Sequence, residues 1–445
     1  MNKKEIILSI ILFVLILGQH ARAEKLSLQD CIDKALENNR EMINAEYGLE
    51  VARKEQKSTR GILLPRVDAS ASYSYSRSDF SRKWEQSIGG NEFVVEEDSE
   101  SDSESKNSSI TLSQSLYNGG KNWSAYSYSK QNTKYSELGY ELTQQSIAFA
   151  VKQSYFALLK AEELLEVADE TLKQSQQYLE RARTMYDLGL VSPGDTLKAK
   201  VNLSKDKLEK INTENNVSIA QSQLAHILGV DIVAGVEVMP INGEITPEEL
   251  SLEDYIQIAM ENRPEVKQSN VAIKMSEINV RSAWGDRFPS LSAYARYSWS
   301  KSEAQDAVDE TSTTSWSLGL QLDMNIFDGL STESNIQKSK INLKKAKNQL
   351  EQVEQDIILE VKEAYLNIVK AYQKIEVSQE EVSSAQEDLR LMEQKYDLGK
   401  SSFIDLSDAQ LGLTLAKSHY IQSVYDYHLA KAALAKAVGL DESIK

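Results

Sequence analysis

The feature that most limits what this chain can fold into is a helix of unusual length that occurs twice in its 445 residues. From about 121 to 188 the sequence is polar and rich in Ala, Leu, Glu, Gln and Lys, with Gly139 as its one glycine and no proline. From 331 to 398 the same composition recurs with neither. At 1.5 Å per residue each run makes a rod of roughly 100 Å, whereas an ordinary globular helix has three or four turns. Both rods end alike, in Tyr186-Asp187-Leu188-Gly189 and Tyr396-Asp397-Leu398-Gly399. Six prolines and 19 glycines are few for this length and favour uninterrupted elements.

The rods belong to a duplication of the whole chain. Leu26-Ser27-Leu28-Gln29-Asp30 returns as Leu250-Ser251-Leu252-Glu253-Asp254, and Gly229-Val230-Asp231 returns as Gly439-Leu440-Asp441. A first repeat spans 24–231 and a second 250–445, joined by a connector at 232–249 that holds Pro240 and Pro247 and reads as irregular structure with room for a short strand. Each repeat is expected to run short helix, medium helix, two strands, long helix, turn and returning helix. The strands fall at about 65–77 and 108–117, then at about 289–300 and 315–327. The long helices cover 121–188 and 331–398, and the returning helices 195–228 and 403–438. Heptad-like Leu197, Val201, Leu208 and Ile211 suit coiled-coil packing. Two copies of this size are one large unit duplicated, not a solenoid.

The strand segments alternate with a period of two. Leu291, Ala293, Ala295, Tyr297 and Trp299 share one face, with Ser292, Arg296 and Ser298 on the other. Val67, Ala69, Ala71, Tyr73 and Tyr75, then Ile110, Leu112 and Leu116, do the same in the first copy, and Trp316 to Ile326 continues it in the second. About ten residues of such alternation mark either a membrane-barrel strand or a half-buried soluble sheet. All five tryptophans (Trp84, Trp123, Trp284, Trp299 and Trp316) lie in or near the strands, as a membrane aromatic girdle would require. Arg296 and Asp323 on the polar face suit a wet lumen. Four strands cannot close a barrel, because about eight is the smallest that works, so the chain must pool strands with copies of itself.

Residues 1–23 read as an export signal: Lys3 and Lys4, an apolar run from Ile6 to Leu17, and Ala21-Arg22-Ala23 as the cleavage site. The apolar run is too short to span a bilayer. The net charge of −17 makes the chain a poor candidate for binding nucleic acid, and no such partner is expected. Cys31 is the only cysteine and forms no internal disulfide. His226, His419 and His428 are scattered without metal-ligand spacing, and no phosphate loop, nucleophile elbow or HExxH occurs. The expectation is a protein that is not an enzyme, with no cofactor and no metal. The acidic stretch from Glu96 to Glu104 reads as a solvated extracellular loop, matched by Val308-Asp309-Glu310 in the second copy.

Signal, duplication, rods and Tyr-x-x-Gly ends together resemble the TolC-like outer membrane factor family over the whole mature chain. The resemblance implies a mainly α homotrimer carrying a membrane β-barrel: a twelve-stranded barrel in the outer membrane continued by a long periplasmic α-helical barrel. It implies an exit duct for tripartite efflux or type I secretion, passively conducting substrate from an inner-membrane RND, ABC or MFS-type pump through a periplasmic adaptor, with the barrel against outer membrane lipid. The competing reading is a soluble periplasmic coiled-coil adaptor or scaffold without a pore. The cargo, whether drug, metal ion or protein, is not written in the chain.

By the same resemblance, Leu188, Gly189 and Leu190, with Leu398, Gly399 and Lys400, match the adaptor-docking tips. A glycine there also serves as a plain helix C-cap. Asp405 and Asp408, three apart on one helical face, match the acidic pore constriction; threefold symmetry would gather them around one axis, where such rings select cations. Asp405 equally suits a helix N-terminal acid, as Asp195 does in the first copy, where Lys198 stands opposite Asp408. The family's arginine after the tip glycine is absent from Lys400-Ser401-Ser402, which leaves Lys400 or Tyr396 as the gate residue.

Overall fold

A computed structural model of the chain describes residues 25–89, 91–233, 235–241, 245–247, 250–304 and 311–440. The export signal at 1–23, Asp441 and Val308-Asp309-Glu310 lie outside the described residues. The first repeat forms α1 (Leu28–Asn38), α2 (Arg40–Gly61), β1 (Arg66–Ile88), β2 (Asn91–Asn118), α3 (Lys121–Asp187) and α4 (Pro193–Leu228). The second forms α5 (Leu252–Asn262), α6 (Pro264–Gly285), β3 (Ser290–Ala304), β4 (Thr311–Asp323), α7 (Ser331–Asp397) and α8 (Phe403–Val438). The two long helices have 67 residues each and the two returning helices 36 each. Among the described residues no helix is long and apolar enough to cross a membrane.

The same local chemistry starts the matching helices. Ser27, Ser192, Ser251 and Ser402 each donate a backbone N–H to the carboxylate three residues on (Asp30, Asp195, Asp254 and Asp405) at 2.9–3.1 Å. These are capping boxes, which satisfy N–H groups that the helix itself leaves open.

The chain falls into two compact units, crossing between them at 49/50, 135/136, 269/270 and 348/349. Each unit therefore takes material from both repeats, and neither repeat is a domain by itself. In the helical unit, Cys31, Ile32, Tyr155, Leu158, Leu224, Leu228, Val236 and Val238 form one core, and burial pushes the Cys31 thiol up to about 11. The connector adds a single bridge there: the Leu26 amide donates to Glu237 O and the Met239 amide to Leu26 O, both at 3.0 Å, while the Tyr155 hydroxyl donates to Met239 O at 2.7 Å. A second core gathers Ala259, Ile357, Val361, Ile368, Tyr427 and Leu434.

Each short helix meets the end of its returning helix through one polar side chain. In the first copy Asn39 donates to Ile227 O at 2.9 Å. In the second the matching residue is Arg263, only 5% exposed, which donates to Lys436 O and Ala437 O and pairs with Glu265 and Glu360 at 2.7 Å. The last carbonyls of a helix have no following helical turn to serve them: Lys436 O accepts from the Gly439 amide at 3.0 Å as well as from the guanidinium, which also serves Ala437 O.

The second unit holds one antiparallel sheet in the order β1-β2-β3-β4, with β1 and β4 outermost. The β2–β3 register shifts once, between Ser115 and Tyr117. On one face stand Val67, Ile110, Leu112, Tyr297, Trp316, Leu318, Leu320 and Leu322, all exposed. On the other, serine hydroxyls pair across strands at 2.7–2.9 Å (Ser70 with Ser109, Ser74 with Ser105, Ser76 with Ser103, Ser298 with Ser315), and Arg296 reaches Ser109 at 3.4 Å.

Two strand expectations need correction. β1 and β2 run 23 and 28 residues, so Glu96 to Glu104 is part of β2 and not a loop. Most acids of this stretch lie opposite bases or hydroxyls of β1 (Glu96 faces Lys83, Glu97 faces Arg82, Asp98 faces Ser81 and Asp102 faces Arg77). Lys83 pairs with Glu96 at 2.5 Å, and Glu100, which faces Asp79, is met diagonally by Arg77. Opposite charges on directly facing residues stabilise such a ribbon. β4 stops at Asp323, short of 327, because its neighbour β3 begins at Ser290, the partner of Asp323, and offers nothing further to pair with.

Candidate functional site

At the end of each long helix the backbone closes in the same bond pattern. Gly189 N donates to Tyr186 O at 2.9 Å and Leu190 N to Met185 O at 2.8 Å; Gly399 N donates to Tyr396 O at 2.9 Å and Lys400 N to Lys395 O at 2.8 Å. These pairs are Schellman motifs, which place the residue after the helix in the left-handed region. Gly189 and Gly399 have φ of 73° and 66°, and a Cβ at either would meet nothing within 4 Å. Conformation alone calls for glycine at either turn. Leu188, Leu190 and Leu398 project beside them with more than two thirds of their surface exposed.

Asp405 and Asp408 follow the second turn. The structure brings them together with Asp388, Met392, Lys395, Lys400, Ser401 and Ala409 around a cavity of about 440 Å³. Asp405 Oδ2 accepts from the Ser402 amide at 2.9 Å and hydroxyl at 2.8 Å. Those bonds, aided by Lys395, hold its carboxyl below the usual range. Both carboxylates are exposed. Asp405 thus caps α8 and presents a charge at once.

Tyr396 is placed otherwise than an exposed gate residue would be. It is 2% exposed, packs edge-on to Phe403 at 6.1 Å, and belongs to a core with Tyr178, Leu179, Ala182, Leu389 and Leu406. Burial, reinforced by Asp195, keeps the phenol protonated, and its Oη has no hydrogen-bond partner among the described residues. Lys400 is exposed at the rim. The two tips are joined instead by residues that sequence inspection passed over: the Tyr178 hydroxyl donates to Glu393 Oε1 at 2.6 Å, and Arg181 pairs with Asp397 at 3.2 Å. Only the shared Tyr-Asp-Leu-Gly ending hinted that Asp397 had a use.

The tryptophans do not all gather. Trp299 and Trp316 lie on the apolar face of β3 and β4. Trp123 is exposed in the first turn of α3, and Trp284 ends α6 beneath the Arg287 guanidinium (4.5 Å) and the Lys340 ammonium (5.4 Å). Trp84 pairs with Val95 on the opposite face, far along the β1–β2 ribbon, with Arg82 over its ring. It does not join the others, because the alternation carries even-numbered β1 residues to the hydroxyl-lined side.

Comparison with known proteins follows the same lines. The model of the family described as "Outer membrane efflux protein" matches residues 31–230 and 255–440. The outer membrane protein TolC of Vibrio cholerae is 21% identical over 417 residues, covering 93% of this chain and 90% of that protein. The probable efflux pump outer membrane protein TtgC of Pseudomonas putida is 23% identical, covering 93% and 83%. Among solved structures, the CmeC outer membrane channel of Campylobacter jejuni superposes with a TM-score of 0.77 at 20% identity, covering 94% of this chain and 87% of that one.

Proposed function

The chain belongs to the outer membrane efflux protein family, and we propose that three copies assemble into an exit duct whose barrel spans the outer membrane and whose rods continue it through the periplasm. The observation that carries this reading is the sheet: four strands, outer edges on β1 and β4, and one face of exposed apolar side chains. Four strands cannot close, while twelve can if β4 of one copy pairs with β1 of the next. The hydroxyl-rich face then lines a wet lumen and the apolar face meets lipid. Exposed Leu197, Val201, Leu208 and Ile211 on α4, with Ile341, Leu366 and Val377 on α7, supply the surface that neighbouring copies cover.

In this duct Asp405 and Asp408 form the constriction, and the tips at Leu188-Gly189-Leu190 and Leu398-Gly399-Lys400 receive a periplasmic adaptor that couples the duct to an inner-membrane pump of the RND, ABC or MFS type. The Tyr178–Glu393 and Arg181–Asp397 pairs hold the tips together. No chemistry is performed; substrate passes down a gradient that the pump maintains. The soluble adaptor reading gains nothing from the comparisons, since the matching family and the relatives named are outer membrane proteins. Purified protein added to a planar lipid bilayer should produce discrete conductance steps. A preparation that never conducts contradicts the duct.

A further inference from the structure

The register of the sheet places two lysines side by side where the apolar face ends. Reading outward from the helix-joined ends of the strands, one level holds Ala69, Ile110, Tyr297 and Trp316, and the next holds Ala71, Ser108, Trp299 and Thr314. The level after that holds Tyr73, Lys106, Lys301 and Ser312, with Lys106 and Lys301 directly opposite each other. One level farther out stand Tyr75, Glu104 and Glu303. Beyond Tyr75 the same face turns charged, with Arg77, Asp79 and Lys83, so the lysine level is the boundary of the apolar band.

From this arrangement we infer that Lys106 and Lys301 hold the phosphate of a lipid headgroup in the outer leaflet, an inference that rests on the barrel reading above. Like charges directly opposite on a strand pair destabilise it, and this pair is kept at the rim of an apolar, aromatic-rich band. Lys106 keeps 45% of its side chain exposed and stands 5.8 Å from the Tyr73 ring; Lys301 keeps 24%. Their alkyl stems can run along the band while the ammonium groups reach the headgroup level. Glu104 lies 3.6 Å from Lys106, and Glu303 pairs with Lys301. Both carboxylates sit on the water side. A free anion approaching from solution therefore meets negative charge first, whereas a phosphate anchored by acyl chains reaches the lysines from the membrane side. The site is selective for lipid-borne phosphate for that reason.

The test uses the full-length protein purified in detergent, with native mass spectrometry reading bound diphosphoryl lipid A, the same lipid after dephosphorylation, and inorganic phosphate as competitor. Wild-type oligomers should retain the phosphorylated lipid, and Lys106→Ser with Lys301→Ser should reduce retention roughly tenfold or more while the oligomer still shifts on heating before electrophoresis. Inorganic phosphate should not displace the lipid from the wild type, but should do so after Glu104→Gln with Glu303→Gln. Equal retention by wild type and lysine variant, equal retention of the dephosphorylated lipid, or displacement by phosphate alone would overturn the inference. Wild-type protein that never enters a bilayer would overturn the barrel reading together with it.

Discussion

Alanine at both Asp405 and Asp408 is expected to raise the trivalent-cation concentration needed to block single-channel current by roughly tenfold or more. The two carboxylates stand one helical turn apart and share a cavity of about 440 Å³, and threefold repetition would set all of them around the duct axis. Multivalent cations bind such rings far better than they bind isolated carboxylates. Because Asp405 also caps α8, Asp405→Asn is the cleaner single variant: its side-chain oxygen still accepts from Ser402 while the charge is gone. Loss of block in that variant separates charge from capping. Asp195→Asn is the matched control, since the first copy has the same cap but Lys198 in place of the second acid. The pH profile carries a further sign. The folded Asp405 carboxyl is held below its usual range by Ser402, so its charge, its share of the block and its capping bond persist where an ordinary aspartate has protonated. All three are lost only as pH falls through the lowered value. Block unchanged by removing both acids would take them out of the pore.

Arg263→Ala is expected to loosen the last turn of α8 by about 2 kcal/mol, or roughly thirtyfold faster amide exchange there, the usual order for losing hydrogen bonds from a charged donor. The guanidinium is buried and serves two carbonyls and two carboxylates at once. Arg263→Lys should recover only part of the loss, because an ammonium cannot reproduce the planar fork. In the first copy Asn39 makes the matching contact through a single neutral bond, so Asn39→Ala should cost the end of α4 only about 1 kcal/mol, apart from the loss of the cap its Oδ1 gives α2 by accepting from the Glu41 amide. Equal protection in wild type and Arg263→Ala would show that the carbonyls find other partners.

These effects also mark how far the chain could be read unaided. The rods were legible because nothing in their composition breaks a helix, and the tips because a glycine after a helical ending has a backbone reason to be there. The apolar faces of the strands followed from alternation alone. The ribbon around Glu96 to Glu104 did not, because its pairing depends on complements across the strand, Arg77 with Glu100 and Lys83 with Glu96, which no local pattern displays. Trp84 was misplaced for the same reason: with the strand end unseen, its face could not be assigned. At the tips, Tyr178 and Glu393 are far apart in the chain and meet only because two long helices pack in one register. Asn39 and Arg263 occupy equivalent positions of the two repeats, yet an alignment of repeats cannot reveal that the larger side chain gathers four acceptors where the smaller donates to one. Interleaving is the last such feature, since a repeat in sequence need not be a compact unit in space.

The mass of the purified mature protein in solution tests the pooled barrel most directly. Detergent should be required to keep it dispersed, and after correction for bound detergent its mass should be three times that of one chain. A single-chain mass in detergent-free buffer would contradict the account, because an isolated four-stranded sheet with a bare apolar face has no means of closing.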